Sequence, residues 1–277
     1  MLKQQESFWN KVDSLFERLH GCTSAAIAFS GGVDSSFLAA AAKKALRGRT
    51  AAVTAVSPTL SALERANART AAAEIGIKHV EIASDETGVP EFAANNADRC
   101  YYCKKYRLKD ICLWAEKNGY EWVLEGSNAD DAYDYRPGIK ALAEYPKVKS
   151  PLKDSGLRKD EIRALAKDWG LSFWDKPSSP CLASRIKYGV PVTAGRLKMI
   201  EDAEAAVAAY CPGKSNIRVR CHEDLARIEV DAEIFPVLAE RRVAGEIAEK
   251  LAKLGFSFVT LDLAGFRTGS LNAGLEK

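Results

Sequence analysis

The chain is 277 residues long, which is room for one large domain or two modest ones, and 47% of it is hydrophobic, enough for a packed core. Its 40 basic and 37 acidic residues leave a net charge of +3, which argues against the concentrated basic face of a nucleic-acid-binding protein. No stretch approaches the ~20 apolar residues of a membrane span, and seven cysteines, an odd number, fit metal ligands and buried thiols better than a disulfide framework.

The N-terminal stretch MLKQQESFWNKVDSLFERLHG places Phe8, Val12, Leu15, Phe16 and Leu19 at helical spacing and lacks the continuous apolar core of a secretion signal. A cytoplasmic protein is implied. Ala25–Ser30 then reads as a short buried strand, followed by Gly31 and Gly32 and a helix from about Asp34 to Leu46. Thr50–Val56 is a second strand, Ser61–Ile75 a helix stopped by Gly76, and Lys78–Ala83 a third strand. Cys103–Asn118 reads as a helix and Glu121–Glu125 as a fourth strand. Apolar runs that do not alternate, each followed by a helix, predict a doubly wound parallel α/β sheet covered on both faces.

Arg158–Trp169 is a further helix, and the loop after it is rich in Pro and Gly as far as Pro191. The domain boundary is therefore placed there, giving residues 1–190 and 191–277. The second part, with a helix over 193–210, strands over 217–221 and 226–230, a helix over 235–254 and a strand over 257–263, predicts a small α+β domain.

Four stretches carry chemistry. The first, 30-SGGVDSS-36, closes the first strand. Two glycines let the backbone turn tightly, and the N–H groups of the following helix start make an anion site. Ser30, Ser35 and Ser36 add hydroxyls, and Asp34 can cap the helix or hold Mg²⁺ through phosphate oxygens. No lysine follows the glycines, so this is not a Walker A loop. The second, from Gly126, is GSNADDAYDYRPG, whose Asp130, Asp131 and Arg136 sit at another strand end. In the third, KPSSPCLASRIKYG, Cys181 lies near Arg185 and Lys187, and cations favour thiolate. In the fourth, IRVRCHEDLARIEVD, Arg218 and Arg220 share one face of a strand, an arrangement that suits a phosphate and that a solvated edge strand would also show.

SGGVDSS resembles the PP-loop of the ATP pyrophosphatases, which split ATP to AMP and pyrophosphate to adenylate an oxygen of their substrate. That resemblance implies that Ser30, Gly31, Gly32, Asp34 and Ser35 bind pyrophosphate and Mg²⁺ and that Ser57 lies near the adenine. Taken with EGSNADDAYDYRPG, PCLASRI and RVRCHEDLARIEV, nearly the whole chain resembles the LarE-type sulfur transferases of nickel-pincer nucleotide synthesis. The resemblance implies adenylation of a carboxylate on a pyridinium dicarboxylate mononucleotide, and displacement of AMP by sulfur to leave a thiocarboxylate. Position at a strand end favours Asp130 or Asp131 near Mg–pyrophosphate and Arg136 near an anionic substrate over a plain Asp/Asn-rich turn, and the resemblance implies Cys181 handling sulfur. Arg218 and Arg220 would grip the substrate phosphate, with Glu229 a metal ligand nearby; a homo-oligomer is implied as well.

One departure from the branch that sacrifices a single cysteine is Cys100-x-x-Cys103. Three cysteines are one short of a closed Cys₄ site, so a [4Fe–4S] cluster on Cys100, Cys103 and Cys181 would leave one iron open to carry sulfide, with Arg99, Lys104 and Lys105 offsetting its charge. Zinc completed by His79 or His222, a redox dithiol, and sacrifice of Cys181 are the alternatives. Cys22, Cys112, Cys211 and Cys221 read as structural. Outside this family, a tRNA thiolase, an amidating synthetase and a cluster-bearing nucleotide sensor are the competing readings.

Overall fold

The computed structural model describes residues 2–132, 137–213 and 215–271. In chain order the first helices and strands are α1 (Leu2–His20), β1 (Ala25–Ala28), α2 (Val33–Leu46), β2 (Thr50–Val56), α3 (Ala62–Ile75), β3 (Lys78–Ala83), α4 (Pro90–Ala93), α5 (Arg99–Lys117) and β4 (Trp122–Leu124). Then come β5 (Val148–Lys149), α6 (Pro151–Asp154), α7 (Lys159–Asp168), α8 (Ala194–Ala208), β6 (Ile217–His222), β7 (Leu225–Val230), α9 (Phe235–Ala239), α10 (Arg241–Leu254) and β8 (Phe258–Leu261). The chain divides into two units, Met1–Glu86 with Cys100–Ser179, and Thr87–Arg99 with Pro180–Lys277. The division falls before Cys181 rather than near Pro191, and it assigns the segment around α4 to the C-terminal unit.

The first unit is the expected parallel sheet, ordered β3-β2-β1-β4-β5. Its alternating residues serve two cores. Ala25 and Ile27 pack with Leu15 and Leu19 of α1, Phe37 and Leu38 of α2 and Ile162 of α7. Ala26 and Val123 pack with Ile111 and Ala115 of α5 on the other face. Local signals set the helix ends. Ser61 accepts the Glu64 N–H with its side chain and starts α3, and Gly76, at φ 69°, ends it in the left-handed conformation that glycine adopts at least cost. The fifth strand was not expected; at two residues it is too short to show a pattern.

In the second unit β7 lies between β6, antiparallel, and β8, parallel. The single helix expected over 235–254 is two, broken at Glu240 (φ −60°, ψ 128°). Packing explains the break. Ile234 and Leu238 are buried four residues apart, and so are Val243, Ile247 and Leu251, but Leu238 and Val243 are five apart. In an unbroken helix that step would turn Val243 about 140° away from Leu238; the extended residue restores the phase.

Candidate functional site

The strand order reverses direction between β1 and β4, and in an open parallel sheet ligands bind beyond the strand ends at such a point. The loop Ser30–Gly32 leaves β1 there, and the loop from Gly126 leaves β4. The two are pressed together: a Cβ on Gly126 would lie 3.0 Å from the Ser35 backbone N. Gly31 has φ +70°, and a Cβ on it would lie 2.5 Å from the Ala68 Cα of α3. Inside the loop the Ser30 and Ser35 hydroxyls are 3.0 Å apart, the Gly32 N–H donates to Ser30 Oγ, and Ser35 Oγ donates to the Gly32 carbonyl. The turn is therefore held by its own side chains.

Asp34 stands in the first turn of α2. Its Oδ2 accepts from Lys159 Nζ at 2.5 Å and from Asn128 Nδ2 at 3.3 Å, whereas its Oδ1 is buried and has no hydrogen-bond partner among the described residues. An open carboxylate oxygen beside an anion-binding turn is the donor that Mg²⁺ on a nucleotide phosphate needs. Asp130 and Asp131, predicted on the neighbouring loop, spend side-chain oxygens on backbone: Asp130 Oδ2 accepts the Lys159 N–H at 2.8 Å and Asp131 Oδ2 the Asn128 N–H at 3.0 Å. Arg136 lies outside the described residues.

Ser57 belongs to a buried polar group the sequence did not reveal. Ser57 Oγ and Thr59 Oγ1 donate to Glu86 Oε1 at 2.9 and 2.7 Å, and Arg107 Nη2 reaches that oxygen at 2.8 Å. Glu86 is fully buried, yet its carboxyl is held below the usual range, because the Arg107 guanidinium and the two hydroxyls outweigh the opposing effect of burial. The Cys103 thiol donates to the same oxygen at 3.7 Å. One residue further, Lys104 pairs with buried Glu125 at 2.8 Å, and Lys105 pairs with Glu144. Arg99 donates to Asn95 Oδ1 and to the Ala183 carbonyl. The three cations expected to offset a cluster are thus engaged with other partners.

Cys100 is exposed and Cys103 half-buried, and α5 begins four residues earlier than expected, so both lie in its first two turns. In the second unit Cys181 is half-buried and caps the short 3₁₀ turn Leu182–Arg185. Arg185, expected to act on the thiol, is buried and grips the turn: it donates to the Pro180 and Cys181 carbonyls and meets the Glu204 carboxylate at 3.0 and 3.3 Å.

Arg218 and Arg220 share a face of β6, as expected, opposite Glu229 and Arg227 of β7. Their charges differ in use. Arg220 donates twice to Glu229 Oε2, at 3.0 and 2.7 Å, and Arg227 and Ser270 donate to the other oxygen. Glu229, expected to bind a metal, is here the fully buried anion of an arginine cluster. Arg218 has no carboxylate within 4.0 Å among the described residues, and its Nη1 donates to the Ile217 carbonyl. Burial first, then the like charge of Arg185, push its guanidinium below the ordinary range. An arriving phosphate would relieve both effects. Burial also raises the thiols of Cys22, Cys112, Cys211 and Cys221, in keeping with inert structural cysteines.

Among the described residues no group of three or more His, Cys, Asp or Glu side chains is gathered as a bound metal requires. His79 hydrogen-bonds to Thr54 Oγ1 at 2.8 Å.

The asparagine synthase family model matches residues 12–101, which contain β1, the glycine loop and α2. The pyridinium-3,5-bisthiocarboxylic acid mononucleotide synthase of Lactiplantibacillus plantarum is 37% identical over 258 residues, 91% of this chain and 90% of its own. The chain belongs to the LarE-type family. Two uncharacterized proteins are also similar: one from Synechocystis sp., 38% identical over 97% of this chain and 99% of its own, and one from Methanocaldococcus jannaschii, 30% identical over 87% and 90%. Membership makes the chain an enzyme of the PP-loop class, and ATP its nucleotide. No described helix of this LarE-type chain is long and apolar enough to cross a membrane. Two lysines that contact the glycine loop and the start of α2 had no expectation attached: Lys159, on Asp34, and Lys176, whose Nζ donates to the Gly31 carbonyl at 3.1 Å and pairs with Glu64 at 2.8 Å. Neither has a local signal, because each reaches the loop from more than a hundred residues away.

Proposed function

We propose that this protein is an ATP-dependent sulfur transferase that converts a carboxylate of a pyridinium dicarboxylate mononucleotide to a thiocarboxylate. The observation that carries the proposal is Asp34, with a buried open oxygen at the mouth of the Ser30–Ser35 turn, in a chain similar along nearly its whole length to a synthase of such a product. Asp34 would hold Mg²⁺, which supplies charge neutralisation at the phosphates. The backbone N–H groups of the loop and the start of α2 orient the ATP phosphates. The substrate carboxylate oxygen attacks the α-phosphorus, and the bond to pyrophosphate breaks. A sulfur nucleophile then attacks the acyl carbon, and the carbon–oxygen bond to AMP breaks; no electrons change hands. Arg218 offers the uncompensated charge for the substrate phosphate, and Arg220 is fixed by Glu229.

For the sulfur itself the proposal is delivery through Cys100, Cys103 and Cys181, holding a [4Fe–4S] cluster. One exposed and two half-buried cysteines support it, although no metal-ready ligand set is gathered among the described residues. Sacrifice of Cys181 is the second reading, supported by the same half-buried thiol in its clamped turn. Anaerobic reconstitution with iron and sulfide separates them. About four irons per chain, lost in C100A, C103A and C181A, fits the cluster. Absence of iron, with a loss of ~34 Da at Cys181 on turnover, fits sacrifice. A C181A protein that thiolates substrate at the normal rate overturns both. The remaining elements of the proposal are a cytoplasmic homo-oligomer and an external sulfur source.

A further inference from the structure

The phosphate turn SGGVDSS carries no cation of its own. We infer that Lys159 supplies it: its ammonium occupies the Asp34 carboxylate while the nucleotide is absent and moves onto the pyrophosphate group when MgATP binds. This inference rests on the ATP reading above and adds a residue to it.

Three features support the assignment. The backbone of Lys159 is fixed, because it opens α7 and its N–H is held by Asp130. Its side chain is not, since it is 37% exposed with Nζ as its only anchored atom. Ion pairs this exposed contribute little to folding and are readily exchanged. The two oxygens of Asp34 are also used unequally: Oδ2 has two N–H donors, one of them the ammonium, and Oδ1 has none. Mg²⁺ arriving at Oδ1 brings a second positive charge within a few ångströms of the ammonium, and the incoming phosphates bring the negative charge that receives it. The lysine thus exchanges one anion for another over a distance its four-carbon stem spans. Lys176 differs: its side chain is 17% exposed and tied both to Glu64 and to the Gly31 carbonyl, so it holds the turn in place.

Binding of magnesium pyrophosphate to the full-length protein by calorimetry tests this, with wild type, K159M and K159R. The expected result is weakening of ~10-fold or more in K159M, the loss of one charged hydrogen bond, with K159R retaining most of the affinity and all three proteins melting at the same temperature. At a fixed pyrophosphate concentration the magnesium needed for half-saturation should rise accordingly in K159M, and should stay near the wild-type value in K159R. K159M that binds magnesium pyrophosphate like wild type, with unchanged magnesium dependence, overturns the inference. Wild type that fails to bind magnesium pyrophosphate overturns the reading of the turn, and the lysine's role with it. Wild type that binds it but releases none from ATP with the carboxylate substrate defeats the proposed reaction and leaves the lysine assignment standing.

Discussion

Gly31 is the position where the phosphate turn has least freedom, and its replacement by alanine gives a measurable cost. The residue sits at φ +70°, and a Cβ there would be 2.5, 2.8 and 2.9 Å from the Ala68 Cα, N and Cβ. All three atoms belong to the body of α3, so no flexible side-chain end can yield. The left-handed backbone costs an alanine about 1–2 kcal/mol, and overpacking against a helix adds about 1–3 kcal/mol. Gly48 separates the two contributions: it has φ +89° with nothing within 4 Å of its would-be Cβ. G48A should therefore lose about 1 kcal/mol from backbone conformation alone. G31A should lose about 3 kcal/mol, a fall in melting temperature of about 6–12 °C. Thermal and urea unfolding of the two variants side by side is the assay. Equal destabilisation would refute the packing argument, since it would show that α3 gives way without cost.

Acid stability should depend on carboxylates held low. Arg69 and Arg65 keep the Glu81 carboxyl at about 2, against an ordinary glutamate near 4.3, so its contribution is full above about pH 4.3 and is lost as the pH falls toward 2. E81Q should flatten that part of a plot of urea midpoint against pH. E86A removes a fully buried carboxylate facing Arg107 and should cost about 3–5 kcal/mol in urea unfolding, whereas E86Q, which keeps the shape and one acceptor, should cost less. R185K breaks the paired contact with Glu204 and the grip on the Cys181 turn, and should cost about 1.5–3 kcal/mol by the same measurement. S61A removes the α3 cap and should cost about 1 kcal/mol.

The parallel sheet was legible because its two central early strands, over 25–28 and 50–56, are apolar runs ended by Ser, Gly or Pro, and such runs need nothing from distant sequence. The anion turn was legible for the same reason: Gly31, Gly32, Asp34 and Ser35 are consecutive or nearly so. What escaped depends on long-range partners. Whether Arg218 or Arg220 keeps an open charge is decided by Glu229 on the next strand, and whether Arg185 acts on a thiol or clamps a turn is decided by Glu204. Arginines in a row look alike in sequence; their carboxylate neighbours distinguish them. The break at Glu240 escaped because an extended residue between two good helical patterns has no composition of its own, only a spacing of five where four was needed.

The segment Thr87–Arg99 has a consequence for how the molecule is made. Asn95, fully buried at φ +59°, donates its amide to the carbonyls of Lys187 and Val190, 92 and 95 residues further along. A ribosome adds ~5–20 residues per second, so this segment is synthesised some ~5–20 s before its partners exist. The first unit is likewise interrupted by it, and its last piece ends only at Ser179. Neither unit is a contiguous stretch of polypeptide, and the second cannot be completed until the whole of the first has been synthesised. Stalled or truncated nascent chains ending between Arg99 and Lys187 would present the Asn95 segment without the loop carbonyls that complete it.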